Sequence, residues 1–380
     1  MEKAALELLI NLLEIPSVNG VDNEKNVAEY LAEYFRQHFI EAKVQYIDDT
    51  HANVIAFVPG KNRHKTIIWN GHLDTVPYGN LQEWVTNPSG AVEKDDRIYA
   101  RGASDMKSGL AAMVYALCHM PEKPECNIRF LGTCDEERGG LGAEKILAQN
   151  ELGDGECLLI AEPTGMKLGT VQKGCLWLEL LVKGKTGHGA YPEKGINAIT
   201  TGSQLATQIH EYVSQYSHEI SGKSTAQVTM IEGGVAPNMT PDTCRIIMDI
   251  RMVPGLTAEM VIDRANDAAG QKALEFPGLT VQYKILNHRR PIEVEETHPM
   301  VVKLGQILRG YGYDGQAAGV NFFTDASVLD AAGTRQVLLF GPGDPALAHQ
   351  PNEYVEIKKY KDAILVLQEF LQNCDFGKRR

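Results

Sequence analysis

Three short apolar, β-prone runs in this chain each stop at acidic or histidine residues, and this repeated pattern narrows the possible folds more than any other feature. Thr66-Ile67-Ile68-Trp69 leads into Asn70-Gly71-His72-Leu73-Asp74, Asn127 to Thr133 leads into Asp135-Glu136-Glu137, and Leu158-Leu159-Ile160 leads into Ala161-Glu162. Near the C-terminal end Gln336 to Phe340 repeats the run, followed by Gly341-Pro342-Gly343 and, after a loop, His349. Continuous apolar runs of this length, bounded by turn residues, suit strands buried on both faces. In an open α/β sheet ligands gather where such strands end at their carboxyl edge. Each group also has a simpler reading. His72 and Asp74 can be a satisfied histidine and a turn aspartate, and the three successive acids can be solvated. Asp105, in the turn before the alanine-rich helix around Leu110 to Leu117, can be an N-cap. Collected at one edge, two histidines and several carboxylates without cysteine suit zinc or a similar divalent ion. A carboxylate two residues after His72 also suits a ligand histidine, whose second ring N–H needs an acceptor.

With 380 residues the chain exceeds the usual single core, so at least two domains are expected. The texture changes at about Cys175. From there the order reads as a strand to about Val182, a helix near 197–212, strands near 226–231 and 243–252, a helix near 257–273 and a strand near 279–286. That is a β-α-β-β-α-β unit, a ferredoxin-like insertion. Residues 175–286 are therefore predicted to form an inserted domain. Residues 1–174 and 287–380 should close into one discontinuous α/β domain that carries the ligand edge. A hydrophobic content of 43 % with 23 % charged residues is that of a soluble globular protein. The net charge of −12 argues against nucleic acid or an anionic membrane as partner. The first helix, with Leu6, Leu9, Ile10 and Leu13 on one face, carries acids where a secretory signal would be basic. No run approaches membrane-spanning length, and a cytoplasmic protein is expected. Seven cysteines, Cys374 among them, show no Cys-x-x-Cys spacing and read as small buried hydrophobes. Cys134, just before the acidic cluster, is the one candidate for more.

The dispersed motifs resemble peptidase family M20 of cocatalytic metallohydrolases, and within it the acetylornithine deacetylase and succinyl-diaminopimelate desuccinylase group. They are GHLDTVP at 71–77, ARGASDMKSGLAAM at 100–113, DEERGGLGA at 135–143, AEPTG at 161–165, KGKTGHGAYPEKGINAI at 183–199 and HQPNEYV at 349–355. The resemblance implies a mixed-sheet, zinc-peptidase-like α/β catalytic domain with a ferredoxin-like lid and dimerisation domain. It implies that His72 and Glu162 hold one divalent ion and Glu137 and His349 another, with Asp105 bridging. A single divalent ion would leave these three carboxylates net negative, whereas two ions and a shared hydroxide balance them. Zinc is the expected metal, and cobalt or manganese accepts the same donors.

By the same resemblance Asp74 orients His72, Glu136 is the general base, and the Asp105–Met106 peptide is cis. His188 would stabilise the oxyanion, commonly from the partner subunit of a homodimer; a plain loop histidine is its other reading. Asn238, in the Gly233-to-Asn238 loop, and Gly319, opening the loop to Asp325, would contact substrate. Arg251 would take a substrate carboxylate with its planar fork, or else form an edge-strand salt bridge. The loop from Gly319 departs from the best-known deacetylases and desuccinylases, which leaves the acyl group open. The implied activity is removal of an acetyl- or succinyl-type N-acyl group from an amino acid or related small molecule. An M20-type dipeptidase, aminopeptidase or carboxypeptidase acting on short peptides is the alternative, and a non-catalytic binding protein on the same fold a remoter one.

Overall fold

The computed structural model describes residues 2–373, so Cys374 lies outside the described residues. The chain divides into two compact units. One runs to Thr170 and continues with Val294–Ala318 and the residues from Thr324; the other is Val171–Glu293 with Gly319–Phe323. The short stretch from Gly319 thus separates from the outer segments. Lys173 donates its backbone N–H to Val320 O at 3.1 Å, and a Cβ on Gly319 would sit 3.0 Å from the Ser221 Cα.

The first unit is built on a mixed sheet in the order Glu41–Tyr46, Ala52–Val58, Cys126–Thr133, Asn62–His72, Cys157–Ile160, Gln336–Leu339 and Leu168–Gln172. Asn62–His72 runs parallel to both its neighbours, and Gln336–Leu339 runs parallel to Cys157–Ile160. Ile67, Ile68, Trp69, Phe130, Leu131, Leu158, Leu159 and Leu338 are all buried, as strands covered on both faces require. Register pairs His72 with Thr133, and both Asn70 and Leu339 with Ile160. The chain therefore leaves the sheet at nearly one level after each of these strands, which brings the residues that follow them to one edge.

Helix Lys107–Cys118 is buried from Lys107 through Leu117, which accounts for its alanine-rich sequence without a polar face. Its N-cap position is Met106 and no side chain caps it, so the capping reading of Asp105 does not hold. At Gly109 a Cβ would come 1.9 Å from the Ala161 carbonyl oxygen; only glycine lets this helix lie against the strand end that delivers Glu162. Helices Glu2–Glu14, Lys25–Gln37, Pro299–Gly310 and Ile357–Asn373 add Leu8, Leu12, Leu31, Phe35, Leu304 and Phe370 to the same core. A small antiparallel sheet of Val92–Lys94, Arg97–Tyr99 and Tyr354–Glu356 ties the C-terminal segment to the turn before Asp105. Cys134 is buried, and burial, with the Glu24 and Asp74 carboxylates nearby, pushes its thiol up, which disfavours the reactive thiolate.

In the second unit Gly174–Lys183, Ala198–Val213, Thr225–Gly233, Thr243–Met252, Ala258–Glu275 and Thr280–Arg289 follow in β-α-β-β-α-β order. Its antiparallel sheet has Thr243–Met252 and Gly174–Lys183 inside, with Thr225–Gly233 and Thr280–Arg289 as edges. Cys244, Ile246, Met248, Ile250 and Met252 alternate inward along one strand, giving that sheet a single core-facing side. No helix among the described residues is long and apolar enough to cross a membrane.

Candidate metal centre

His72 is buried at the end of its strand, with Nε2 3.2 Å from Asp105 Oδ1. Donor atoms of His72, Asp105 and Glu162 lie within 4.8 Å of one another, and so do those of Asp105, Glu137 and His349. Asp105 belongs to both groups. Its Oδ2 is 3.4 Å from His349 Nε2, which in turn lies 3.1 Å from Glu137 Oε2. The fold thus gathers five residues drawn from five separate stretches of sequence, with one carboxylate common to two groups. The Asp105–Met106 peptide is cis.

Asp74 supports this cluster in two ways. Its backbone carbonyl lies 3.0 Å from His72 Nδ1, while its carboxylate Oδ1 is farther, at 3.6 Å. The motif points to the Asp74 side chain as the orienting group; the nearer contact is the main-chain oxygen of that residue. The carboxylate instead accepts the backbone N–H of Glu136 on Oδ1 at 3.2 Å and that of Glu137 on Oδ2 at 3.1 Å. It also accepts from Asn19 Nδ2 at 2.9 Å, and the same Asn19 nitrogen donates to Asp135 Oδ1 at 3.0 Å. Asp135 takes φ +62°, a left-handed conformation uncommon for a residue with a side chain, and its N–H donates to Glu24 Oε2 at 2.8 Å. The chain turns sharply there, and the two acids that follow part company. Glu137 meets His349, whereas Glu136 Oε1 is buried with no hydrogen-bond partner.

Acid outweighs base at this centre. Burial pushes the Glu136 carboxyl well up; His72 opposes the shift while Glu162 and Asp325 add to it. Glu162 is likewise held well up by burial and by Asp105, and Glu137 is raised for the same two reasons. Burial would also raise Asp105, yet hydrogen bonds from His349 and His72 keep its carboxyl below the usual range. Burial pulls His72 down, but the bond to Asp105 with Glu162 and Asp74 nearby holds it well above its ordinary value. The bonds to Asp105 and Glu137 push His349 up to about 10. The histidines stand in as cations for carboxylates otherwise short of positive charge. An all-imidazole and carboxylate donor set, a shared aspartate and an orphaned buried carboxylate oxygen fit divalent ions.

Several contributors had no role assigned from the sequence. Asn19 lies outside every motif; Asp325, at the end of the loop that Gly319 opens, is buried and accepts from Thr133 Oγ1 at 2.6 Å just before the acidic turn. Arg101 and Glu353 lie inside the quoted motifs without an assigned role, and their buried ion pair of 2.7 Å adjoins Asp105.

The remaining site candidates lie in the second unit. His188 pairs with Met239 across a short antiparallel ladder, and Gly189 N–H donates to Asn238 O at 2.8 Å, so His188 and Asn238 are neighbours. Both are exposed. Arg251 is on an inner strand and not an edge. It forks onto Asp249, Nε to Oδ1 at 2.7 Å and Nη2 to Oδ2 at 3.1 Å, and its guanidinium lies 5.6 Å from the Phe323 ring centroid. Gly319 opens the stretch that carries that phenylalanine.

The sequence profile of peptidase family M20/M25/M40 matches residues 68–373. The chain is 29 % identical to a probable succinyl-diaminopimelate desuccinylase of Staphylococcus aureus, covering 97 % of each protein. It is 30 % identical to an uncharacterized metallohydrolase of Methanocaldococcus jannaschii, covering 97 % of this chain and 98 % of that one. A solved tripeptidase structure from Staphylococcus aureus shares the fold, with a TM-score of 0.80 at 21 % identity over 98 % of each chain. A profile match over most of the sequence, and a relative matched along nearly its whole length, agree with the two-unit fold and the edge of imidazoles and carboxylates: the chain belongs to peptidase family M20/M25/M40 and is a metal-dependent hydrolase.

Proposed function

We propose that this hydrolase removes an N-acyl group, acetyl or succinyl in type, from an amino acid or a related small molecule with the help of two divalent ions. The observation that carries the two-ion reading is the sharing of Asp105 between two donor groups beside the unpartnered Glu136 Oε1. His72 and Glu162 would hold one ion and Glu137 and His349 the other, with Asp105 between them; zinc, cobalt or manganese suits these donors. When bound, the ions supply positive charge that polarises the scissile carbonyl and acidifies water. Glu136 takes the proton of the attacking water as the water oxygen bonds to the carbonyl carbon. It returns that proton to the amine nitrogen as the C–N bond breaks, leaving a carboxylic acid and an amine, and the acid's proton passes to the amine to give carboxylate and ammonium. Asp74 keeps Glu136 aimed through the backbone bond of 3.2 Å.

The acyl reading is supported by the desuccinylase relative, and the fold shared with a tripeptidase supports short peptides as the rival substrates. Initial rates on N-acetyl and N-succinyl amino acids beside di- and tripeptides decide between them. Acylated amino acids should give the higher kcat/KM, and peptides ahead of them would overturn the acyl assignment. Titrating the ion-free protein should reach two ions per chain. Because His349 is pushed up to about 10 without an ion, it is protonated at neutral pH and must lose that proton to bind. Ion uptake should therefore release protons, and affinity should rise with pH; a stoichiometry fixed at one would sink the two-ion mechanism.

We assign the second unit a lid and dimerisation role, with His188 as the group that would stabilise the oxyanion and Asn238, Arg251 and Gly319 as proposed substrate contacts. Its edge strand Thr225–Gly233 leaves Val228, Met230 and Ile231 45 %, 48 % and 50 % exposed, an apolar edge suited to pairing with a second copy. Sedimentation equilibrium should find a dimer that Met230→Asp weakens, whereas an active monomer would refute this pairing.

A further inference from the structure

Glu353 is 0 % exposed and stands outside both donor groups, yet it touches the backbone of the ligand they share. Its Oε1 accepts two backbone N–H groups, from Ser104 at 2.7 Å and from Asp105 at 2.9 Å. Its Oε2 pairs with Arg101 Nη1 at 2.7 Å. Arg101, itself buried, uses the same Nη1 to reach Gln350 O and its Nη2 to reach Pro77 O, each at 3.1 Å, and its guanidinium lies 5.2 Å from the Trp84 ring centroid. The main chain closes the arrangement, since Ala100 N–H donates to Glu353 O at 3.2 Å and Tyr354 pairs with Tyr99 in the small sheet. One buried ion pair therefore grips the turn that ends in Asp105, the segment that begins with His349 and the stretch that follows His72 and Asp74.

We infer that Glu353 is a positioning residue for the whole centre, its carboxylate fixing the shared ligand Asp105 and the His349 segment in one frame so that both ion sites depend on it. The inference rests on the two-ion reading above. A buried ion pair is weak evidence for stability, because desolvation cancels much of its attraction. Here, though, the hydrogen-bonding capacity left over on both partners goes to the main chain around ligands. Charge-assisted bonds to N–H groups are shorter and stronger than neutral ones, which suits a group that must hold a backbone against the pull of an ion. Partners standing behind metal ligands are known to set affinity at about 10- to 100-fold per residue. His349 lies in only one donor group, so its loss should be felt at one site, whereas the loss of Glu353 acts through Asp105 at both.

The test titrates ion-free full-length protein with Co²⁺, following heat and the visible absorption of bound cobalt. The wild type is read first for the number of binding events. Glu353→Gln keeps a carbonyl oxygen for the two N–H groups but turns an amide donor toward Arg101. Both events should weaken by about 10- to 100-fold, with altered absorption for both. His349→Ala should weaken the event it belongs to by far more than the other, which it reaches only through Asp105. Arg101→Lys, which keeps the charge but loses the fork, should reproduce the two-event weakening and serves if Glu353→Gln does not fold. Wild-type affinity and absorption in Glu353→Gln, or weakening of one event only, would overturn the inference, as would a lowered melting temperature with cobalt binding intact. A wild type that binds one ion refutes the two-ion reading separately. The positioning role then stands only if Glu353→Gln weakens that single event by the same factor.

Discussion

Glu136→Gln is expected to lower turnover by at least about 10²-fold while the ion content stays that of the wild type. The substitution keeps size and hydrogen bonding but removes the oxygen that can accept a proton, and Glu136 Oε1 is buried without a hydrogen-bond partner. Glu137→Gln tests the neighbouring acid in the opposite sense. Glu137 meets His349 at 3.1 Å and shares a donor group with Asp105, so its loss should lower ion affinity, and excess ion should restore part of the rate. Turnover at saturating metal, together with metal content after dialysis, separates the two. If Glu136→Gln lost its ions and Glu137→Gln stayed loaded but inert, the two roles would be exchanged.

Asp74→Asn should be nearly as damaging, although Asp74 belongs to neither donor group. Both its carboxylate oxygens are occupied as acceptors, by Glu136 N–H on one side and by Glu137 N–H and Asn19 Nδ2 on the other. An asparagine amide must turn an NH₂ toward one of these donors whichever way it is flipped. A buried donor left facing a donor costs about 1–3 kcal/mol, and the turn can relieve it only by moving. Moving it displaces Glu136 and Glu137, the proposed base and the proposed ligand, together. Turnover should fall by at least about 10²-fold, and the ion bound through Glu137 should weaken by about 10- to 100-fold. A folded Asp74→Asn protein with turnover within about threefold of the wild type would show that the turn holds its shape without this anchor.

The sequence by itself determined the sheet edge and the kind of chemistry found there. A strand covered on both faces cannot carry polar side chains far, so the first histidines and acids after Trp69, Thr133 and Ile160 had to mark where each strand leaves the core. Alternating polarity from Thr243 to Met252 likewise marked the inserted unit as a sheet with one buried face. The salt-bridge reading of Arg251 placed it on an edge and named no partner; the structure pairs it with Asp249, two residues away on the same face of an inner strand. What only the tertiary structure decided was the support behind the two donor groups. Asn19 reaches Asp135 across 116 positions, Thr133 reaches Asp325 across 192, and Arg101 reaches Glu353 across 252. No local period encodes such meetings; they follow from the register of parallel strands joined by long crossovers, which is set by the packing of the whole core. Asp105 illustrates the same division. Local propensity offers it as a helix cap, but the close approach of Gly109 to Ala161 and the grip of Glu353 set its carboxylate between His72 and His349.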